Sequence, residues 1–233
     1  MTIAQETPMD AACRLAAGAL RQGFMLEALH TYTDREANPL YWRIRAKHPA
    51  TGKKWIRPMK LTGTRYELRE PVRPANGKPL YRIHELAARP DDLVILTEGE
   101  HKADQLAALG LLVTTSGAAD SAGEADWQAL AGREVLIWPD NDAPGRRYAD
   151  AAAAALKPLA CKMRVIDVAL LGLAVKGDAV DWLASHPEAK AADVLALACE
   201  RPEAGQSRPP PHGGQAKWQS HICLCARTEN RAG

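Results

Sequence analysis

Cysteines and aromatic residues are both scarce in this chain of 233 residues. The five cysteines are an odd number at irregular positions, which excludes a disulfide scaffold, and we expect them to be reduced. No run of about 18 apolar residues is present to span a bilayer. The opening stretch MTIAQETPMD lacks the basic start and the apolar segment of a signal peptide. We therefore expect a cytoplasmic protein that does not associate with a membrane.

Several motifs of well-known enzyme classes are also missing. The chain has no GxxxxGK[ST] phosphate loop, no GxGxxG motif after a strand and no GxSxG elbow, which argues against NTPases, dinucleotide enzymes and serine hydrolases of standard design. Structural zinc needs paired cysteines, or cysteines and histidines, at fixed spacing. The amino-terminal part has only Cys13, and His221, Cys223 and Cys225 have no partner pair at a suitable distance. We expect no zinc.

Charge is distributed unevenly along the chain. The net charge is only +2, yet residues 35–89 contain 14 Lys and Arg against 4 Asp and Glu. Aromatic residues alternate with these cations, a mixture that suits nucleic acid because cations neutralise phosphates and aromatic rings stack on unpaired bases. The alternative is a solvated basic face on a small β domain whose aromatics form its core. The candidate nucleic-acid-binding residues are Trp42, Trp55, Arg43, Arg45, Lys53, Lys54, Arg57 and Lys60.

Hydrophobic periodicity divides the chain into four parts. Residues 1–24 include a helical stretch, DAACRLAAGALRQ, and residues 25–89 read as four strands separated by turn signals, which predicts a basic antiparallel unit. From residue 90 to 200, strand-like segments alternate with helical ones, which predicts a parallel α/β sheet flanked by helices. Residues 201–233 begin with a stretch rich in proline and glycine, and we expect a disordered tail.

Carboxylates follow two of the predicted parallel strands. Glu98 comes directly after LVILT, and Asp140 and Asp142 follow EVLIW. Ligands of open parallel sheets bind outside the carboxyl ends of the strands. If the two strands are neighbours, three carboxylates converge there, and their mutual repulsion implies a bound cation. Oxygen ligands select a hard ion, with Mg²⁺ expected where phosphates are the substrate, or Mn²⁺ in its place.

The same aspartates have other interpretations. Asp142 can cap the helix that begins near Pro144, and Asp-Asn-Asp runs are common in loops. An EF-hand loop starts in a similar way, but Pro144 stands at its fifth position and Ala151 at its twelfth, where a bidentate glutamate is needed. The EF-hand interpretation therefore fails, whereas the capping role stays open.

Three motifs follow one another along the chain in the order and spacing of a known domain family. They are LTEGEHKADQLAALGLLVTTS, REVLIWPDNDAPGRRYADAAAAAL and KGDAVDWL. Together they resemble the Toprim domain of topoisomerases, bacterial-type primases and some nucleases, and in particular the modules of phage and plasmid primases and primase-helicases. The similarity covers about residues 80–198. It implies a Toprim-like Rossmannoid sheet preceded by the basic antiparallel unit.

The resemblance also implies roles for individual residues. Glu98 matches the Toprim glutamate, expected to act as a general acid or base or to lie beside the metal. Asp140 and Asp142 match the metal-binding pair, Asp104 matches a further acidic position, and Asp178 or Asp181 matches a last one. His101 stands where these modules often have a lysine, which leaves a phosphate-binding role of that position open.

The function implied is a Mg²⁺-dependent nucleotidyltransferase of the DNA primase type, with single-stranded DNA and nucleoside triphosphates as partners and a replicative helicase supplied by another chain. Two alternatives stay open. The chain can be a noncatalytic nucleic-acid-binding accessory of a mobile element, or a Toprim nuclease that uses the same metal cluster to cleave.

Overall fold

The computed structural model describes residues 6–118 and 120–199. The predicted disordered tail, with His221, Cys223 and Cys225, lies outside the described residues. Among the helices that are described, none combines the length and the apolar character that a membrane crossing requires.

The first half of the chain forms an antiparallel sheet covered on one face by a helix. Helix α1, Pro8–Arg21, begins where the Thr7 hydroxyl accepts a hydrogen bond from the Asp10 backbone N–H, and Pro8 fits its first turn. Strands β1, β2, β3 and β4 then pair in sequential order. Their ranges are Met25–Thr33, Pro39–Lys47, Lys54–Thr62 and Arg65–Leu68. Each of the four strand predictions is confirmed.

One face of this sheet packs on α1. Side chains alternate between the two faces of a strand, so Trp42 and Ile44 lie on the same side of β2, while Arg43 and Arg45 lie on the other. Ala11, Ala12 and Ala16 of α1 form a core with Trp42, Ile44 and Met59. The small alanine side chains let the helix approach the sheet closely. The arginines of β2 are thereby directed away from α1.

The second half forms a parallel sheet of order β6-β5-β7-β8. The strands are β5 (Val94–Thr97), β6 (Val113–Thr114), β7 (Glu134–Trp138) and β8 (Lys162–Val165). All four residues of β5 and the last four of β7 are buried, as expected for central strands covered on both faces. The helices are α2 (Ile83–Ala88), α3 (Glu100–Ala107), α4 (Ala143–Leu156), α5 (Ala179–Ser185) and α6 (Ala191–Leu195). The predicted α/β class, a parallel sheet flanked by helices and preceded by an antiparallel unit, is confirmed.

One predicted helix is absent from the described part of the chain. The stretch GEADWQALA forms two short 3-10 turns, Ser121–Glu124 and Trp127–Leu130. Asp126 separates them in an extended conformation and accepts a hydrogen bond from the Gln128 backbone N–H. The Trp127 indole donates to the Ala122 carbonyl, 2.9 Å away. These local bonds replace the continuous helical ladder that the spacing of apolar residues suggested.

Candidate functional site

The two central strands of the parallel sheet end beside each other and carry acidic residues at that edge. β5 and β7 are parallel neighbours, with Thr97 opposite Trp138. Glu98 follows β5 by one residue and Asp140 follows β7 by two. Gly99 has a φ of 81°, a conformation that favours glycine, and it turns the chain from Glu98 into α3. Glu98 and Asp140 therefore lie at the ends of neighbouring strands, as the sequence predicted.

These acidic residues line a cleft of about 340 Å³ that opens between the two sheets. Carboxylates of the parallel sheet lie on one side of it, and cations of the antiparallel sheet lie on the other. The acidic lining residues are Glu98, Glu100, Asp140, Asp142 and Asp178, and the basic ones include Arg43, Arg45, Lys54, Lys102 and Lys176. A cleft with both signs of charge suits a ligand that combines metal ions with phosphates.

Lys102 lies at the centre of the acidic group. Its Nζ contacts both carboxylate oxygens of Asp140, with 2.6 Å to Oδ2, and it lies 3.6 Å from Oδ2 of Asp178. The Lys102 side chain is 12% exposed and that of Asp140 is 18% exposed. The ammonium group therefore neutralises part of the negative charge in the region where the carboxylates converge.

The pKa values of Glu98 and Asp140, the two carboxyl groups at the strand ends, are both raised. Burial raises the pKa of Glu98, and the nearby charge of Asp140 raises it further. The pKa of Asp140 is also raised by burial, although the Lys102 ammonium opposes this shift. Oε2 of Glu98 is buried and has no hydrogen-bond partner among the described residues. An incompletely compensated carboxyl group of this kind is typical of functional sites.

Three aspartates of the motifs cap helices. Oδ1 of Asp142 accepts a hydrogen bond from the Gly145 backbone N–H of α4 at 2.8 Å, so the capping interpretation is correct, and Asp142 also lines the cleft. Asp178 caps α5 by accepting the Val180 backbone N–H at 2.8 Å. Asp181 forms a reciprocal capping box with Asp178 and is not among the cleft-lining residues. Of the two alternatives that the resemblance left open, the structure places Asp178 at the cleft.

Asp104 lies outside the cleft lining, in a separate hydrogen-bond network. Its carboxylate contacts Nδ1 of His30 at 2.9 Å, the Tyr81 hydroxyl at 3.0 Å and Nη1 of Arg82 at 3.0 Å. Burial alone would raise the pKa of Asp104, but the hydrogen bond to His30 and the other partners lower it overall. This placement argues against the predicted role of Asp104 as a metal ligand, because its oxygens are engaged in joining α3 to the antiparallel sheet.

Glu100 joins the same two parts of the molecule. Oε1 of this buried carboxylate accepts a hydrogen bond from the Tyr32 hydroxyl at 2.7 Å and contacts Nη1 of Arg43 at 3.1 Å. Burial would raise the pKa of Glu100, yet Arg43 and Tyr32 lower it overall. The sequence offers no signal for the pairing, because Arg43 lies 57 residues from Glu100. The contact fixes Arg43 at the edge of the cleft.

Gly145 lets α4 approach the Asp140 loop. A Cβ atom at this position would lie 2.5 Å from the backbone oxygen of Asp140 and 2.7 Å from its backbone nitrogen. No side chain fits at that distance, so the glycine of the DNDAPG stretch allows the first turn of α4 to pack directly beneath Asp140. The sequence indicated a turn here, but it did not reveal this close approach.

The predicted nucleic-acid-binding residues divide into two groups. Arg43, Arg45 and Lys54 line the cleft. The others lie elsewhere. Lys53 is exposed just before β3, and Lys60 borders a different groove. Arg57 and Trp55 lie on the α1 side of the sheet, with the Arg57 guanidinium 5.5 Å from the centre of the Trp55 ring. Trp42 is 6% exposed in the core beneath α1, and this burial argues against its predicted stacking on bases.

A divalent cation has suitable donors here but no preformed cage. Within residues 6–118 and 120–199, no group of three or more His, Cys, Asp and Glu side chains is arranged so that it could hold a metal ion. Several carboxylates nevertheless line the cleft together with His101. One carboxylate oxygen, on Glu98, is buried without a partner among the described residues, and the Lys102 ammonium contacts Asp140. Hard ions prefer such oxygens, so the carboxylates of Glu98, Asp140, Asp142 and Asp178 are chemically suited to be ligands of Mg²⁺.

No protein-family model matches the sequence, and a search of curated proteins found no match. Among solved structures, the chain is similar to one titled "Crystal Structure of the Aquifex aeolicus primase (Zinc Binding and RNA Polymerase Domains)", with 15% identity and a TM-score of 0.46. The match covers 72% of this chain and 38% of that one. A likeness this distant decides nothing about activity. The fold and the cleft by themselves define an α/β protein with a charged cleft at the carboxyl edge of a parallel sheet.

Proposed function

We propose that the protein is a Mg²⁺-dependent nucleotidyltransferase of the DNA primase type, which joins nucleotides on a single-stranded DNA template. The observation that carries the proposal is the composition of the cleft. Carboxylates at the ends of β5 and β7 face cations of β2 and β3 across one opening. Phosphoryl transfer needs both groups of charges, because metal ions and cations together stabilise the charge that develops on phosphate oxygens.

In this proposal each side chain has a defined task. Asp140, Asp142 and Asp178 would hold the ion, and a bound ion would supply positive charge to stabilise the reacting phosphate. Glu98 holds or moves a proton, a task that suits a carboxyl group whose pKa is raised by burial. Arg43, Arg45 and Lys54 bind the phosphates of template or nucleotide. Arg43 is kept in position by the buried Glu100.

Incubation of the protein with labelled nucleoside triphosphates, Mg²⁺ and single-stranded DNA tests this proposal. Extended products should form with the parent protein and should be absent with Asp140→Asn. The Asp181→Asn variant is a matched control, because it changes an aspartate of a capping box that does not line the cleft. Shortened template without extended products would instead favour a nuclease that uses the same site.

A noncatalytic nucleic-acid-binding role is the second candidate. The contact of Lys102 with both Asp140 oxygens favours it, because a cleft neutralised by its own lysine can be stable without a metal ion. This role predicts that the protein binds single-stranded DNA equally well with Mg²⁺ and with chelator. It also predicts that neither synthesis nor cleavage is observed.

A further inference from the structure

Lys102 lies among the carboxylates that are proposed to bind the metal ion. Its ammonium group contacts both oxygens of Asp140 and lies 3.6 Å from Asp178. Its charge also acts on Glu98, where it opposes the rise in pKa caused by burial and by Asp140. One side chain therefore interacts with carboxylates from three different segments: the end of β5, the end of β7 and the start of α5.

The ion pair between Lys102 and Asp140 differs from a surface salt bridge. Both side chains are mostly buried, at 12% exposed for Lys102 and 18% for Asp140. Partly buried charges are screened little by solvent, so the ammonium group strongly affects whether another cation can enter. A single positive charge does not neutralise the whole acidic group, however, and Glu98 Oε2 remains buried without a partner among the described residues.

We propose that Lys102 is a built-in competitor of the divalent cation: its ammonium occupies the cation position and must leave Asp140 before a metal ion can bind. This inference rests on the proposed function, since it assumes that the acidic group binds a metal ion. It assigns to Lys102 control over the metal affinity of the cleft. It also explains why suitable carboxylates line one cleft without forming a preformed cage.

Local sequence explains how Lys102 reaches this position. Gly99 starts α3 directly after Glu98, so Lys102 lies in the first turns of that helix, beside the end of β5. Because β7 is the neighbour of β5, the long lysine side chain reaches across to Asp140. His101 lines the same cleft, whereas Ala103, the next residue along the helix, packs in the hydrophobic core.

Titration with Mn²⁺, followed by electron paramagnetic resonance, tests the inference on the full chain. Lys102→Gln should bind Mn²⁺ at least about tenfold more tightly than the parent, the scale expected when a competing charge-assisted hydrogen bond is lost. Lys176→Gln is the matched control, because it removes one positive charge from the lining of the same cleft. Lys176 is exposed, so its charge is screened by solvent and its removal should change the Mn²⁺ affinity by less than about threefold.

Thermal melting provides a second readout that does not depend on activity. In chelator, Lys102→Gln should melt at a lower temperature than the parent, because the carboxylates lose their counter-ion. Millimolar Mn²⁺ should then raise its melting temperature more than that of the parent. If Lys102→Gln fails to fold without metal, Lys102→Arg retains the charge and should bind Mn²⁺ no more tightly than the parent.

The outcomes separate the inference from the proposed function. Equal Mn²⁺ affinity of the parent, Lys102→Gln and Lys102→Arg would overturn the competition and leave the metal site intact. An equal gain for Lys102→Gln and Lys176→Gln would also overturn it, since general charge would then explain the effect. Absence of Mn²⁺ binding in every variant would overturn both the competition and the metal-dependent function.

Discussion

Lys102 and Asp104 show how neighbouring residues of one helix serve different purposes. Lys102 contacts the strand-end aspartate Asp140, whereas Asp104 contacts His30 of β1 and two residues near α2. The family resemblance treated Asp104 as an acidic site residue. Its actual partners come from segments 74 and 23 residues away in sequence, and no local pattern could reveal them.

The Asp104 network predicts a particular dependence of stability on pH. The pKa of Asp104 is lower in the folded protein than its ordinary value of 3.8, so its contribution to stability is present above that value and is lost as the pH falls through the folded pKa. Asp104→Asn should lower the free energy of unfolding by roughly 1–3 kcal/mol at pH 7, the range for a charged hydrogen-bonded group.

Denaturant unfolding of the parent and Asp104→Asn between pH 3 and pH 8, in chelator, measures this effect. The difference between the two proteins should be constant above about pH 5 and should shrink below about pH 4. A difference that stays constant down to pH 3 would show that Asp104 acts through packing and not through its charge.

At the scale of secondary-structure elements, the strands were predictable and some helices were not. Strands such as β5 and β7 consist of continuous buried apolar residues bounded by turn signals, and these features are local. The stretch GEADWQALA failed as a helix because Asp126 and Trp127 make local bonds that favour 3-10 turns. The position of Asp140 at the end of a strand was predictable for the same local reason as the strand itself.

The packing of α4 against the Asp140 loop depends on Gly145. In Gly145→Ala the new methyl group would lie 2.5–2.9 Å from backbone atoms of Asp140, so either the helix or the loop must move. We expect a loss of about 1–3 kcal/mol of stability, the usual range for overpacking, together with loss of any Mg²⁺-dependent stabilisation.

Urea unfolding with and without Mg²⁺ checks this prediction. Ala153→Gly is a useful comparison, because it alters a partly buried position later in the same helix and far along the chain from Asp140. It should destabilise α4 through helix propensity while leaving the Mg²⁺ effect in place. Equal Mg²⁺ stabilisation in the parent and Gly145→Ala would contradict the role of this close approach.

At the scale of the whole molecule, the two sheets contribute residues of opposite charge to one cleft. The sequence showed a basic region before residue 90 and acidic residues at strand ends after it, and both halves contribute to one cleft. The sequence did not show which cations face the acids. That choice follows from the alternation of β2, where Trp42 and Ile44 pack on α1 and leave Arg43 and Arg45 on the opposite face.

In the proposed function, the binding of single-stranded DNA should depend on the cleft-facing cations. The double variant Arg45→Gln with Lys54→Gln should bind about tenfold more weakly at moderate salt. The slope of log affinity against log salt concentration should fall by the amount expected for the loss of one to two phosphate contacts. Lys53→Gln with Arg57→Gln removes the same charge outside the cleft lining and should have a small effect. Arg43 is left unchanged, because its removal would leave the buried Glu100 without its cation.

Fluorescence anisotropy with a labelled oligonucleotide, repeated at several salt concentrations, measures both pairs. Similar losses in the two double variants would show that net charge, and not the cleft, determines binding. In that case the basic face serves solubility or general attraction.

The central claim is that the acidic group at the ends of β5 and β7 binds a divalent cation, and thermal melting tests it most directly. The parent is compared with the double variant Asp140→Asn and Asp142→Asn, each in chelator and in millimolar Mg²⁺. The substitution at position 142 keeps a side-chain oxygen for the α4 cap, whereas the substitution at position 140 leaves Lys102 without its ionic partner. In chelator, the double variant should therefore fold and should melt a few degrees lower than the parent. Mg²⁺ should raise the melting temperature of the parent by a few degrees and leave the double variant unchanged. An equal rise in both proteins, or no rise in the parent, would contradict the claim.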